Sequence, residues 1–244
     1  MEIEPIPLSR LAFAFIPAAA VIGLMWRYNV GHQKALYAFV RMFVQLLIIG
    51  YALIYIFTSG SWLIITGILA VMVLASSWIA LNTVKSGKRE LFKASFLSIL
   101  AGGGVTLIFV TQGVLALDPW YAPSLMIPLA GMIFAKAMTS ISLAAERLMS
   151  ELENGVAIVP ARRTAFQAAM IPIINSLFAV GLVSLPGMMT GQILSGVSPL
   201  IAARYQIMVM CMIFGATGLS TACFLYLTRN ATAFKEAIMS PQGE

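Results

Sequence analysis

The chain has 244 residues, of which 60% are hydrophobic and only 10% are charged, and its mean hydropathy is +0.94. A soluble domain carries about 25% charged residues, so these few charges could not cover a surface that faces water. Intrinsic disorder is excluded as well, because disordered chains are poor in apolar residues and rich in charge. At about 20 residues for each membrane-spanning helix, we predict one transmembrane domain that covers residues 1–244.

Seven apolar stretches are long enough to predict membrane-spanning helices. In chain order they are residues 8–25, 35–57, 62–81, 94–117, 125–143, 165–185 and 202–227. The sixth ends at Pro186-Gly187, a pair that argues against a continuous helix. The sequence therefore predicts an all-α, polytopic transmembrane helix bundle of about seven spans, with a break after the sixth.

The basic residues predict which ends of the spans face the cytoplasm. If the N-terminus is outside, eleven of the fifteen Lys and Arg residues fall on inner segments, two fall outside, and Arg41 and Lys136 lie within spans. Basic residues collect on cytoplasmic loops, so we expect an outer N-terminus and a cytoplasmic C-terminus in an inner or plasma membrane. The same rule accounts for the net charge of +6 without nucleic acid, since no run of Lys and Arg exceeds two residues.

One inner segment, from about residue 144 to residue 164, is much longer than the outer loops. Its apolar residues recur at near-helical spacing between charges, which predicts an amphipathic interfacial helix followed by a basic turn. Two roles are open: a connection that lies on the lipid surface, or a docking surface for a cytoplasmic partner. The charged residues concerned are Glu146, Arg147, Glu151, Glu153, Arg162 and Arg163.

The sequence contains none of the common catalytic or metal-binding motifs. A Walker P-loop, a His-Glu-x-x-His pair, a Gly-x-Ser-x-Gly elbow and a Cys-x-x-Cys pair are all missing. None of the nine acidic residues falls inside a predicted span, and His32 is the single histidine. We therefore predict a non-enzymatic membrane protein with no metal site and no cofactor of its own.

Four polar side chains within the spans are candidates for a substrate pathway: Gln45, Lys136, Asn175 and Gln206. A lysine at membrane depth is costly and indicates function, although it can also extend to the inner face. The amides can equally bond one helix to another. Without a carboxylate in any span, a hard cation finds no ligands to replace its water. A metal should therefore pass as an anionic complex, or as a softer ion bound by Met, Asn and Gln.

The interruption after the sixth span is predicted to lie inside the protein. Irregular backbone is tolerated in a membrane only where it is buried in protein or lines a cavity. We therefore expect residues 184–191 to face other helices, with Gly187 at a close backbone contact. The residues assigned to this break are Pro186, Gly187, Met188, Met189 and Gly191.

Four stretches read together resemble a known family. They are residues 41–51 (RMFVQLLIIGY), 127–132 (IPLAGM), 180–191 (VGLVSLPGMMTG) and 204–208 (RYQIM). The chain resembles the Fet-type iron-export permeases, bacterial ABC-transporter membrane subunits with plant relatives associated with aluminium tolerance. The resemblance implies a homodimeric permease that works with a separate cytoplasmic ATPase, which would bind the ATP. It implies export of iron, of another metal or, in the plant branch, of a nucleotide sugar.

The sequence departs from the pattern of that family in three places. Lys136 stands where members carry Asn, and Asn175 and Phe178 stand where they often carry Asp and Lys. Residues 152–157 read LENGVA in place of a Leu-Gly-Ala coupling motif. The first two departures concern the substrate, and the third concerns coupling to an ATPase. Two alternatives therefore stay open: an autonomous channel or facilitator, and an accessory membrane subunit without its own ATP coupling.

Overall fold

The computed structural model describes residues 6–58, 61–84 and 87–229. Every named element of secondary structure in these residues is a helix. The one β-bridge among them joins Val180 to Ser184. The prediction of an all-α fold is confirmed. Several charges of the sequence lie outside the described residues, namely Glu2, Glu4, Lys85, Lys235, Glu236 and Glu244. The internal contacts divide the chain into two units, one with the helices before residue 60 and one with those after it.

The first unit consists of three apolar helices, α1 (Leu8–Phe13), α2 (Phe15–Arg27) and α3 (His32–Thr58). α2 and α3 pack side by side, with the rings of Phe15 and Phe43 6.5 Å apart. α2 has no buried residue, and most apolar side chains of α3 are exposed. Such exposure would be costly in water, but lipid solvates apolar side chains, so it fits helices that span a membrane.

The second unit contains the remaining helices. In chain order they are α4 (Trp62–Ile79), α5 (Lys88–Ser98), a π-helical segment (Ile99–Gly104), α6 (Val105–Ile108), a second π-helical segment (Phe109–Val114), α7 (Pro123–Glu153), α8 (Ile158–Ala179), α9 (Gly187–Leu194) and α10 (Pro199–Leu227). Proline opens both α7 and α10, where its missing N–H would have had no partner in the helix.

Six helical segments among the described residues are long and apolar enough to cross a membrane. They are 9–27, 32–57, 62–79, 88–114, 123–153 and 199–227. The predicted span at residues 165–185 corresponds to α8, a helix of 22 residues that ends at Ala179. The six segments and α8 together make seven candidate spans, which agrees with the predicted number of about seven. The direction in which the chain enters the membrane stays a prediction.

α7 lies at the centre of the second unit, where it packs against α4, α8 and α10. Small residues line these contacts and are fully buried: Ala130, Ala137, Ala144 and Ala145 on α7, Ala161 and Ala165 on α8, and Ala202 and Ala216 on α10. Such residues let helix backbones approach closely in a membrane protein, where van der Waals contact drives association.

Residues 144–153 do not form the separate interfacial helix that the sequence predicts. They continue α7, which has 31 residues and therefore extends about 46 Å, beyond the roughly 30 Å of a bilayer core. Leu148 and Leu152 are buried in the unit, where α7 packs against α8. The apolar stripe thus contacts a neighbouring helix, which gives it a drier environment than the lipid surface. Gly155, at φ +78°, turns the chain towards α8.

Candidate functional site

An open cavity of about 270 Å³ lies where α7, α8 and α10 meet the break between α8 and α9. Its lining includes Lys136 of α7 and Gln206 of α10, together with Pro186, Gly187 and Met188 at the start of α9. The structure therefore brings two of the four predicted pathway residues together with three of the five residues of the predicted break. The volume is close to the lower end of the range for ligand pockets, about 300–1,000 Å³.

The other predicted residues lie elsewhere. Asn175 is exposed on α8 and does not line this cavity. Gln45 belongs to α3 of the first unit and is exposed there. Met189 and Gly191 continue α9 beyond the lining. The candidate site in the second unit therefore includes fewer of the polar residues than their position in apolar spans predicts.

Lys136 carries a charge with no counter-ion nearby. It follows the first residue of α7 by 13 positions, or about 20 Å along the helix, which places it at membrane depth in a spanning helix. It lines the cavity and also a smaller one of about 70 Å³ beside Ser140 and Thr217. The ion pair found in the described part of the chain joins Arg147 to Glu151 at 2.6 Å and does not involve Lys136. The ammonium group is therefore available to a ligand.

Gln206 contributes a buried amide to the same cavity. Its side chain is only 6% exposed, and its Oε1 has no hydrogen-bond donor in the residues that the structure describes. An unsatisfied buried polar atom costs about 1–3 kcal/mol, so such atoms in native proteins ordinarily have a partner. This oxygen is itself inaccessible to solvent, so neighbouring side chains enclose it although other atoms of Gln206 line the cavity.

The turn after α8 closes the C-terminal end of that helix. The carbonyl oxygen of Ala179 accepts the N–H groups of Val183 at 2.8 Å and of Leu182 and Ser184 at 3.2 Å each. Gly181, at φ +83°, adopts the left-handed conformation that this turn needs, and its N–H donates to the carbonyl oxygen of Ser184 at 3.0 Å. Two of the last four carbonyl oxygens of α8, those of Ser176 and Ala179, thus accept backbone N–H groups.

The N-terminal end of α9, in contrast, is open. The N–H of Thr190 donates to the carbonyl oxygen of Pro186, which is the first bond of the helix. The preceding N–H groups of Gly187, Met188 and Met189 have no acceptor among the described residues, as expected for the first turn of any helix. Gly187 and Met188 line the cavity, so this end of the helix adjoins it.

The expected close packing at Gly187 is wrong for this chain. A Cβ atom built on Gly187 or on Gly191 would meet no atom within 4 Å. The preceding loop is also uncovered, with Leu182 90% and Val183 84% exposed. The physical reason is that several backbone groups of the turn bond locally, and that Gly187 lines the cavity in place of a contact between helices.

A layer of buried hydroxyl groups lies next to Lys136, and the sequence analysis missed it. The hydroxyls of Ser140 and Thr221 are 2.6 Å apart, and that of Ser140 also donates to the carbonyl oxygen of Ala169 at 3.3 Å. Nearby, α10 lies so close to Gly102 that a Cβ there would be 2.8 Å from the Cα of Ser220. The run Gly102-Gly103-Gly104 was the available signal, because small residues mark close helix contacts.

The end of α7 and the start of α8 form a protruding tip, which we define as residues 147–163. Arg147 and Glu151 pair within it, and Val159 is 73% exposed. Arg162 precedes the predicted span, and its Nε and one terminal nitrogen are buried without a partner in the described residues. Burial lowers the pKa of the Arg162 guanidinium, and the positive charge of Arg229 lowers it further.

In the described residues, no group of three or more His, Cys, Asp and Glu side chains is placed to hold a metal ion. The polar side chains in the lining of the cavity are those of Lys136, Ser176, Ser184 and Gln206. Residues 8–232 of this chain match the model of an uncharacterised protein family, UPF0014. The chain belongs to the UPF0014 family.

Individual UPF0014 proteins are similar over most of their length. A UPF0014 membrane protein of Synechocystis is 36% identical over 219 residues, which are 83% of this chain and 84% of that protein. The Escherichia coli protein named "Probable iron export permease protein FetB" is 32% identical over 237 residues, 89% of each chain. The Arabidopsis thaliana protein ALUMINUM SENSITIVE 3 is 32% identical over 235 residues, 86% of this chain and 84% of that one.

The UPF0014 match confirms the resemblance to Fet-type permeases and their plant relatives. This chain is thus a multi-pass membrane protein of a permease family. No solved structure matches it.

Proposed function

We propose that this chain is the membrane subunit of an ABC-type exporter, which moves a metal ion or metal complex out of the cytoplasm and is powered by a separate ATPase. The observation that carries the proposal is the polar-lined cavity at the α8–α9 break. Membrane transporters commonly bind their substrates at such discontinuous helices. The name of the Escherichia coli relative supports export of iron.

The protruding tip is the proposed docking surface for the ATPase. It extends beyond the length of α7 that a bilayer core accommodates, and it presents Val159 and Arg163 to solvent. The exposed charge of Arg163 would attract an acidic side chain of the ATPase. α7 runs without interruption from this tip to Lys136. Motion of the docked ATPase would therefore reach the cavity as a rigid-body movement of α7 and α8.

A homodimer with two ATPases is part of the same proposal. In one copy the cavity at the α8–α9 break is open rather than enclosed, and the exposed side chains of Leu182 and Val183 leave an apolar face uncovered. A second copy would complete the pathway, and the family resemblance implies the same arrangement. Cross-linking of membranes is the direct measure of this stoichiometry.

Co-purification tests the proposed partner. The chain should be co-expressed with each candidate ABC ATPase of its source organism and captured from detergent through a tag on the ATPase. We expect an equimolar complex of membrane chain and ATPase that survives size-exclusion chromatography. If the folded chain is recovered free of every candidate ATPase, the proposal is wrong, and an autonomous facilitator becomes the better account.

A further inference from the structure

We propose that the substrate moves through the second unit along one groove between α7, α8 and α10, and that Ile173 forms the constriction within this groove. The role in transport rests on the proposed function, whereas the groove and its constriction can be tested without an ATPase. The groove joins the open cavity of about 270 Å³ at the α8–α9 break to the smaller cavity of about 70 Å³.

The two cavities adjoin each other, because Lys136, Ile173 and Ser176 line both. Together the two linings extend over residues 132–143 of α7, 169–180 of α8 and 206–217 of α10. Towards the small cavity the residue numbers rise on α7 and α10 and fall on α8, which returns along α7 after the turn at Gly155. Each stretch covers about 16 Å of helix, roughly half of a 30 Å bilayer core. The cavities are therefore consecutive compartments of one groove.

The groove leads from the α8–α9 break towards the protruding tip. The large compartment begins at Pro186 and Gly187, and the lining of the small compartment on α7 ends at Leu143, one helical turn before the tip begins at Arg147. Eight of the nine residues that line the small compartment belong to α7 and α8. A movement of the tip along these two helices would therefore change the shape of this compartment directly.

Polar residues continue from the large compartment into the small one. Lys136, Thr139 and Ser176 line the small compartment, and none of the three is fully buried. Ionisable side chains at membrane depth ordinarily face the interior of a bundle or a water-filled cavity, because lipid does not solvate them. A polar space of about 70 Å³ accommodates a few water molecules, but it is much smaller than a ligand pocket of about 300 Å³. The groove must therefore widen for a substrate larger than a few waters.

Ile173 is the side chain that narrows the groove between the compartments. Of the other two shared residues, Lys136 is exposed on a long flexible stem, and Ser176 is small and donates its hydroxyl to the carbonyl oxygen of Pro172 at 2.8 Å. Ile173 is bulky and only 5% exposed, and its branched Cβ leaves one strongly preferred χ1 rotamer in a helix. Apolar constrictions of this kind close a polar pathway by excluding water.

Pro172 gives α8 local freedom directly beside this constriction. It lies inside the helix and lines the small compartment. A proline has no N–H to donate to the carbonyl oxygen four residues earlier, and prolines commonly bend helices. A change in the bend of α8 at Pro172 would displace Ile173 and join the two compartments.

Labelling of single cysteines tests the groove. In a full-length chain that carries Cys211→Ala and Cys223→Ala, Met132→Cys reports on the large compartment, Thr217→Cys on the small one, and Ile171→Cys on the exposed surface of α8. The protein, in lipid nanodiscs and without ATPase, is treated with an anionic methanethiosulfonate. Because the thiolate is the reactive form and water favours it, Met132→Cys should react at least about tenfold faster than Ile171→Cys. Thr217→Cys should react slowly, since Ile173 bars the reagent.

Shorter side chains at position 173 test the constriction. Ile173→Ala removes the side chain beyond Cβ and should accelerate the reaction of Thr217→Cys at least about tenfold, because it opens an apolar constriction. Ile173→Val is the milder change, which cores tolerate better, and should accelerate the reaction less. Ile171→Ala makes the same change at a position that is 55% exposed and should leave the rate unaltered. Met212→Cys, buried on α10 outside both cavities, should stay unreactive in every variant.

Three results would overturn the proposal. Equal rates for Met132→Cys and Ile171→Cys would show that lipid fills the groove. A rate for Thr217→Cys that neither variant of Ile173 changes would place the constriction elsewhere, and a rate that rises together with that of Met212→Cys would indicate general loosening of the unit. The labelling needs neither ATP nor a substrate, so the expected pattern in a chain that binds no ATPase would support the groove and contradict the proposed exporter.

Discussion

Gly102→Ala is expected to destabilise the second unit severely and to lower the yield of folded protein. The new Cβ would lie 2.8 Å from the Cα of Ser220 and still closer to its backbone nitrogen. Both atoms belong to the backbone of α10, which cannot move aside as a flexible side chain can. Overpacking of a core typically costs about 1–3 kcal/mol. For a chain of this size we expect a loss of roughly 5–10 °C in melting temperature, at about 2–4 °C for each kcal/mol.

Thermal denaturation in detergent, followed by fluorescence-detected size-exclusion chromatography, measures the effect. Gly104→Ala is the matched control, because it makes the same change in the same π-helical segment and its Cβ would have ordinary contact with Leu100 at 3.7 Å. The control should melt within a degree or two of the native protein. Equal melting temperatures for the two variants would show that α10 does not lie as close to Gly102 as it does in the structure.

Val159→Asp combined with Arg163→Glu is expected to abolish ATP-driven transport. Both residues are exposed on the protruding tip, and the change replaces an apolar contact and reverses a positive charge where the ATPase is proposed to dock. If these residues form the centre of the interface, each contributes about 2 kcal/mol or more, so affinity for the ATPase should fall at least about a hundredfold. Vesicle transport and co-purification report the loss.

The melting temperature of the same double variant serves as the internal control. Both substituted residues are exposed, so the fold should be unchanged. Lys93→Glu reverses an exposed charge on α5 and should leave both transport and assembly intact. Native transport by the double variant would place the ATPase on some other surface of the chain.

The helices follow closely from the sequence because their signals are local. Long apolar stretches predict the spans, and Pro186-Gly187 predicts the break that separates α8 from α9. The sequence predicts a separate interfacial helix after residue 143. That prediction is wrong because an amphipathic pattern is the same whether its apolar side meets lipid or a neighbouring helix. The burial of Leu148 and Leu152 depends on α8, which reaches them only after the chain turns at Gly155.

The site follows from the sequence only in part, for a related reason. Lys136 and Gln206 are polar residues in apolar helices, and the structure brings both to one cavity. Asn175 carries the same signal but is exposed on α8, because a helix that is apolar on every side does not indicate which face meets its neighbours. The contact of Gly102 with Ser220 joins positions far apart in the chain. The glycine run at 102–104 indicates a close helix contact, but packing determines that its partner is Ser220.

Transport into inside-out vesicles, with and without ATP, tests the central claim most directly. Vesicles that contain this chain and its ATPase should accumulate radiolabelled iron only when ATP is present, and Lys136→Met should abolish the accumulation while the complex remains assembled. Equilibration of iron without nucleotide, at the same rate with and without the ATPase, would contradict the account and identify the chain as an autonomous facilitator.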